Sequence, residues 1–149
     1  EAGPVAPIRR GAHGILVTAD AALGSVRADE LQMIALPGGM PGSKHLAEHP
    51  RVQALLGEIA DAGGYTAAIC AAPMALAAAG LHQGKTVTCY PGFQGHLTGG
   101  HFAEDRVVVD DTVITSRGPG TALEFALTLV SLLRDGDVAG ALAKGMLVA

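Results

Sequence analysis

The stretch Ala68-Ile69-Cys70-Ala71-Ala72-Pro73 places a cysteine where an apolar strand ends and a helix begins. The first turn of a helix directs unpaired backbone N–H groups and the positive end of its dipole toward the preceding residues. This setting favours the thiolate, which is the nucleophilic form of cysteine. The alternative is that Cys70 is buried and unreactive, since free cysteine is among the residue types most often buried.

Strands and helices alternate on both sides of this junction. Apolar or β-branched runs predict strands over residues 15–18, 31–36, 65–70, 86–90, 106–109 and 112–116. Helical spacing and glycine or proline boundaries predict helices over 43–49, 50–62, 74–79, 121–133 and 138–144. Residues 1–12 and 93–102 are expected to be mainly loop. The alternation predicts an α/β domain whose parallel sheet carries helices on both faces.

Composition limits the kind of protein that this chain can be. Its 149 residues suffice for a single domain, which is expected to span 1–149, and 49% are apolar while only 3% are aromatic. The net charge is −4 and the ten basic residues are scattered, which argues against nucleic-acid binding. No apolar run approaches the roughly 20 residues that span a bilayer, so no membrane partner is expected. Two cysteines without a disulfide framework fit a reducing compartment, and we expect a cytoplasmic protein.

In a parallel sheet the ligand crevice lies beyond the carboxyl ends of the strands. The Pro37-Gly38-Gly39 turn, Cys70-Ala71 and the loop 116–120 are all expected there. Gly38 and Gly39 lack a Cβ, so their backbone can approach a substrate and offer an N–H to an oxyanion. The Ala71 amide follows the nucleophile and is the predicted second donor. Purely structural turns are the alternative for the glycines and for the loop.

Two histidines in the loop 93–102 are candidates for stabilising the thiolate or moving a proton. His101, after Gly99-Gly100, is predicted to lie nearest the thiol, and His96 is the competing candidate. Cys89 lies in the middle of a predicted strand and is expected to be inert. None of the histidines forms a Cys/His spacing typical of structural zinc, so no metal site is predicted.

Four motifs, in this order, resemble the DJ-one (ThiJ/PfpI) superfamily and most closely its Parkinson-disease-protein deglycase branch: ALPGG at 35–39, AAICAAP at 67–73, GGH at 99–101 and TSRGPGT at 115–121. The resemblance implies a flavodoxin-like parallel sheet sandwiched by helices, with the cysteine on a nucleophile elbow. It also implies a homodimer, cofactor-free chemistry on α-oxoaldehydes such as methylglyoxal, and roles in oxidative-stress protection and as a chaperone.

The chain departs from this superfamily at three points. Members named as intracellular proteases place a histidine directly after the cysteine, where this chain has Ala71, so a cysteine peptidase or amidase is the least favoured function. An arginine often follows the second strand in the deglycase branch, and His13 stands there. Members also open with a strand-helix-strand unit that carries a glutamate beside the cysteine. The chain begins after that unit, which we expect the intact protein to contain.

The predicted function is that of a cofactor-independent glyoxalase or protein deglycase acting on methylglyoxal, glyoxal or their early adducts on protein groups. Cys70 is the predicted nucleophile, His101 assists proton transfer, and Gly38, Gly39 and Ala71 line the oxyanion and substrate site. One alternative is a redox sensor whose cysteine is oxidised reversibly or to sulfinate. Another is a chaperone that does not depend on the thiol.

Overall fold

A computed structural model of the protein describes residues 8–11 and 13–148. Its strands are β1 (Ile8–Arg10), β2 (Leu16–Thr18), β3 (Met33–Leu36), β4 (Tyr65–Ile69), β5 (Thr86–Val87), β6 (His101–Phe102), β7 (Val107–Asp110) and β8 (Val113–Ser116). Its α-helices are α1 (Gly42–Glu48), α2 (Pro50–Asp61), α3 (Pro73–Ala78), α4 (Ala122–Leu133) and α5 (Gly136–Gly145). As the sequence predicts, α-helices follow β3, β4 and β8, whereas β1–β2 and β5–β8 succeed one another without an intervening α-helix.

The central sheet has the strand order β3-β4-β8-β7. The first three strands are parallel, with Leu36 beside Ala68 and Ile69 beside Ser116. The edge strand β7 is antiparallel to β8, because a two-residue turn joins them and parallel neighbours need a longer crossover. The prediction of a parallel sheet therefore holds for three of the four strands.

Helices cover both faces of this sheet, which confirms the predicted flavodoxin-like α/β class. Successive residues of a strand point to opposite faces. Ala68 and Val113 accordingly belong to a core packed by α2 and α3, with Leu56 and Leu76 fully buried. Their neighbours Ala67 and Ile114 belong to a second core, to which α4 contributes Phe125, Leu129 and Leu132. No helix of the described residues is long and apolar enough to cross a membrane.

Two segments differ from the sequence prediction. The loop predicted for 1–12 lies largely outside the described residues, but Ile8–Arg10 within it forms a strand paired antiparallel with Leu16–Thr18. The strand predicted for 86–90 pairs only at Thr86–Val87, which lie beside His101–Phe102. In both cases the hydrogen-bonding partner decides the outcome, and local composition does not show which segments become partners.

The topology gathers three segments at one edge of the sheet. Because β3, β4 and β8 run in the same direction, their carboxyl ends at Leu36, Ile69 and Ser116 lie together. The turn starting at Pro37, the junction at Cys70 and the loop starting at Arg117 follow directly. The residues after β5 approach the same edge, since the Tyr90 N–H donates to the Cys70 carbonyl oxygen at 2.8 Å.

Candidate active site

Cys70 occupies a sharp turn between β4 and α3. Its φ of 68° lies in the left-handed region, which a residue with a Cβ adopts at a cost of roughly 1–2 kcal/mol. Two hydrogen bonds hold it there: its N–H donates to the Ser116 carbonyl oxygen at 2.9 Å, and its own carbonyl accepts from the Tyr90 N–H at 2.8 Å. The side chain is half-buried and its thiol is free. This geometry has the form of the strand-to-helix nucleophile elbow.

Gly38 lies directly against this cysteine. A Cβ atom at Gly38 would stand 2.8 Å from the Ile69 carbonyl oxygen and 3.2 Å from the Cys70 Sγ. Any side chain at this position would therefore displace the thiol or the loop. The structure thus brings Gly38 and Cys70 together, as the carboxyl ends of neighbouring parallel strands predict.

The backbone donors expected at the site are available for a ligand. Among residues 8–11 and 13–148, neither the Gly39 N–H nor the Ala71 N–H donates to a protein acceptor. Gly39 is exposed and has a φ of 92°, whereas Ala71 is only 2% exposed. A buried N–H without an acceptor is costly, so the Ala71 amide marks a position for an oxygen atom of water or substrate.

The structure does not bring His101 to Cys70, which corrects the expected proximity. The His101 N–H donates to the Lys85 carbonyl oxygen, and the Lys85 ammonium binds Asp111 at 3.1 Å. Asp111 lies in the turn that leads into β8, at the amino end of that strand, whereas Cys70 lies at the carboxyl end. The short β5–β6 pair fixes His101 at the wrong end of the sheet. Its catalytic role stays a prediction that this placement does not favour.

Tyr90 is the aromatic residue that the sequence interpretation missed. Its backbone is bonded to Cys70, and its ring packs on Gly118, where a Cβ would lie 3.1 Å from Tyr90 Cδ2. The same ring meets Phe93 edge to face with centroids 6.5 Å apart, and Phe93 stacks on His96 at 5.9 Å. The sequence does contain a signal for this placement: the predicted strand 86–90 ends at Tyr90, and a residue at the end of a strand lies at the carboxyl edge of the sheet.

The loop after β8 is held by a network of hydroxyl groups. The Ser116 hydroxyl donates to the Arg106 carbonyl oxygen at 2.7 Å and lies 2.6 Å from the Thr121 hydroxyl. The Thr121 oxygen also accepts from the Gly118 N–H at 3.1 Å. Arg117 donates to the Glu104 carbonyl oxygen at 3.1 Å. These contacts fit the structural interpretation of the loop, and they fix the Ser116 carbonyl that holds Cys70.

The second cysteine lies beneath the site and differs electrostatically from an exposed thiol. Burial raises the pKa of the Cys89 thiol from its ordinary 9.0 to about 11, the Arg117 guanidinium partly opposes this shift, and Cys70 adds to it. Cys89 is thus protonated at neutral pH.

No three His, Cys, Asp or Glu side chains converge as a metal-binding group within the part of the chain that the structure describes.

Comparisons with known proteins match this chain to one family. The model of the DJ-1/PfpI family matches residues 4–132. Protein dj-1beta of Drosophila melanogaster is 41% identical over 137 residues, which cover 91% of this chain and 73% of the relative. Glutathione-independent glyoxalase DJR-1.2 of Caenorhabditis elegans is 40% identical over 140 residues, covering 93% of this chain and 74% of that protein. The crystal structure of Drosophila melanogaster DJ-1beta superposes with a TM-score of 0.91 at 39% identity, covering 95% and 77% of the two chains.

Proposed function

Because the chain belongs to the DJ-1/PfpI family, we propose that it converts α-oxoaldehydes such as methylglyoxal to 2-hydroxy acids through the Cys70 thiolate, without a cofactor. The observation that carries this proposal is a free, half-buried thiol that lies against Gly38. The next N–H group after each of these residues, that of Gly39 and that of Ala71, has no protein acceptor within the described residues. The glyoxalase activity named for the Caenorhabditis elegans relative supports the choice of substrate class.

The first step is addition of the thiolate to the aldehyde carbon. A C–S bond forms, and the carbonyl π electrons move to oxygen to give a hemithioacetal alkoxide. The Gly39 and Ala71 N–H groups donate to this alkoxide, where they stabilise charge that is absent from the free aldehyde. Removing one such donor from other enzymes costs about 10²–10³ in turnover, which sets the size of the contribution proposed here.

The second step moves hydrogen within the adduct. The aldehyde hydrogen leaves its carbon as a proton, and a proton is returned to the neighbouring ketone carbon. The aldehyde carbon is thereby oxidised to a thioester and the ketone carbon is reduced to an alcohol, so no external oxidant is needed. Water then attacks the thioester, the C–S bond breaks, and a 2-hydroxy acid and the thiolate are released. Gly38, Gly39 and Tyr90 are exposed, which gives water access to the site.

The same exposure favours adducts carried on proteins as additional substrates. A hemithioacetal or aminocarbinol on a protein surface must approach the thiol with its carrier attached, which a deep pocket would prevent. Here the turn after β3 and the Tyr90 side chain both face solvent. We therefore include early glycation adducts in the proposed substrate class, and test them by 2-hydroxy acid formation from a methylglyoxal-treated carrier protein, with C70S as the control for spontaneous reversal.

The test of this function is substitution of Cys70 by serine in the intact natural protein. We expect C70S to lose methylglyoxal turnover, measured as 2-hydroxy acid by NMR, while the matched variant Cys89→Ala retains it. Circular dichroism establishes that both variants are folded. Retention of the wild-type rate by C70S would refute the thiol mechanism, and equal loss in both variants would show that the assay reports folding.

We further propose that the protein forms a homodimer. Ile15, Leu16 and Val17 on the β1–β2 hairpin are 58–68% exposed, an apolar surface of the kind that marks protein contacts. Light scattering on the wild-type protein and on a Leu16→Lys variant tests this, because the charge should shift the mass toward that of a monomer. A monomeric wild-type protein would contradict the proposal.

A further inference from the structure

Cys89 lies next to Cys70 across a backbone hydrogen bond, although the sequence pattern suggests that it is inert. The bond runs from the Tyr90 N–H to the Cys70 carbonyl oxygen at 2.8 Å. The Tyr90 N–H belongs to the peptide unit that begins at Cys89, so this bond holds the Cα atoms of Cys89 and Cys70 at about 5 Å, close to the spacing of hydrogen-bonded backbone segments. Disulfides join cysteines whose Cα atoms are about 4.4–6.8 Å apart. The backbone therefore holds the two Cα atoms at a separation that a disulfide can span.

The two thiols differ in their access to solvent. Cys70 is half-buried at the rim of the site, whereas Cys89 is fully buried in the core that contains Ala72 and Leu76. Burial raises the pKa of Cys89 to about 11, and Cys70 adds to this shift. An oxidant from solvent consequently meets Cys70 first.

We propose that Cys89 is the resolving thiol for Cys70, closing an intramolecular disulfide after a hydroperoxide has oxidised Cys70. In the first step the Cys70 thiolate attacks the peroxide, the O–O bond breaks, and a sulfenic acid and water are formed once a proton is taken up. In the second step the Cys89 sulfur attacks the Cys70 sulfur, the S–O bond breaks, and the hydroxyl leaves as water with the Cys89 proton. One hydroperoxide oxidises two thiols by two electrons in all.

The geometry limits when this bond can form. The Cys70 Sγ lies beside Gly38, so we expect bond formation with Cys89 to need a change in the Cys70 χ1. The high pKa of Cys89 leaves little thiolate at neutral pH, and attack by thiolate sets the rate of exchange. Disulfide formation is therefore slow, so a second molecule of peroxide can oxidise the Cys70 sulfenic acid before the disulfide forms. We expect the disulfide at one molar equivalent of peroxide, and sulfinate on Cys70 at large excess.

The test is peptide mapping of the intact natural protein after one equivalent of hydrogen peroxide and alkylation. Trypsin cleavage after Arg51, Lys85 and Arg106 separates the two cysteines into peptides 52–85 and 86–106. We expect these peptides to be linked, the protein to have lost the mass of two hydrogen atoms, and dithiothreitol to reverse both changes. The band should migrate as a single chain on a non-reducing gel.

The variant Cys89→Ala is the matched control. In it, we expect dimedone to trap the Cys70 sulfenic acid and the sulfinate to appear at a lower dose of peroxide. Equal rates of sulfinate formation in wild type and variant with no linked peptide, or a disulfide that joins two chains, would overturn the proposal. This inference shares one requirement with the proposed function, which is that Cys70 is accessible from solvent. Methylglyoxal turnover of the reduced wild-type protein and of C89A tests that function separately, so failure of one does not imply failure of the other.

Discussion

Substitution of Gly38 by alanine tests whether the approach of this turn to the thiol is required. The new Cβ would lie 2.8 Å from the Ile69 carbonyl oxygen, where an ordinary contact begins at 3.4 Å, and it would overlap the Cys70 Cβ. To relieve the overlap with the Cys70 Cβ, either the turn after β3 or the elbow must therefore shift by about 1 Å. Overpacking of this kind costs about 1–3 kcal/mol of stability. A displacement approaching 1 Å at a reacting group lowers turnover by about 10²-fold.

Alanine substitutions at two other glycines are controls that distinguish the steric clash at Gly38 from the general effects of replacing a glycine. Gly57 lies inside α2 with open space around its Cβ position, so Gly57→Ala should stabilise the protein by roughly 0.5–1 kcal/mol without changing turnover. Gly39 also has open space but a φ of 92°, so Gly39→Ala should introduce backbone strain without a clash. Urea denaturation gives the stability, and methylglyoxal turnover and reaction with a thiol reagent report the position of Cys70.

The expected order of turnover is Gly57→Ala equal to wild type, then Gly39→Ala, then Gly38→Ala. If G38A keeps wild-type stability, turnover and thiol reactivity, the contact between this turn and Cys70 is not required and the reasoning fails. If G38A is destabilised but its folded fraction turns over normally, the glycine serves packing alone.

Four further outcomes follow from the placement of single side chains. His101→Ala should leave turnover within about twofold of wild type, because His101 lies at the amino end of the sheet, whereas Tyr90→Ala should lower it about tenfold by loosening the rim. Thr121→Val should cost about 1–3 kcal/mol in urea denaturation, since the buried Gly118 N–H loses its acceptor, while Thr121→Ser keeps it. Burial raises the pKa of Cys89 to about 11, so the folded state holds this proton more tightly than the unfolded state does. This contribution is complete below pH 9 and is lost as the pH rises toward 11; wild type should lose up to about 2 kcal/mol more than Cys89→Ala in that window.

Much of the fold can be predicted because its signals are local. Pro50 at a first helical position, with apolar residues at helical spacing up to Gly63, predicts α2 almost to its ends. The apolar run before Pro37 likewise predicts β3. The pairing of Ile8–Arg10 with Leu16–Thr18 could not be predicted this way, since its stability comes from hydrogen bonds to a partner rather than from the composition of either segment.

The same distinction applies to the candidate site, where some residues could be placed from the sequence and others could not. Cys70, Gly38 and Ala71 could be placed together because each follows a parallel strand, and the direction of those strands alone brings their ends to one edge. The position of His101 cannot be predicted in this way, because a Gly-Gly-His stretch does not show which end of the sheet it borders. That depends on its pairing with Thr86 in β5.

The position of Cys70 depends on two segments far from it in the sequence. The strained φ of this residue persists because the Ser116 carbonyl holds its N–H and the Tyr90 N–H holds its carbonyl. Ser116 is in turn fixed through its hydroxyl by Arg106 and Thr121, which lie on either side of β8 and its loop. Disturbing the loop after β8 should therefore alter the reactivity of a thiol that it does not touch. Thr121→Val tests this coupling as well as stability, because its folded fraction should react with thiol reagents at a changed rate, whereas Thr121→Ser should match wild type.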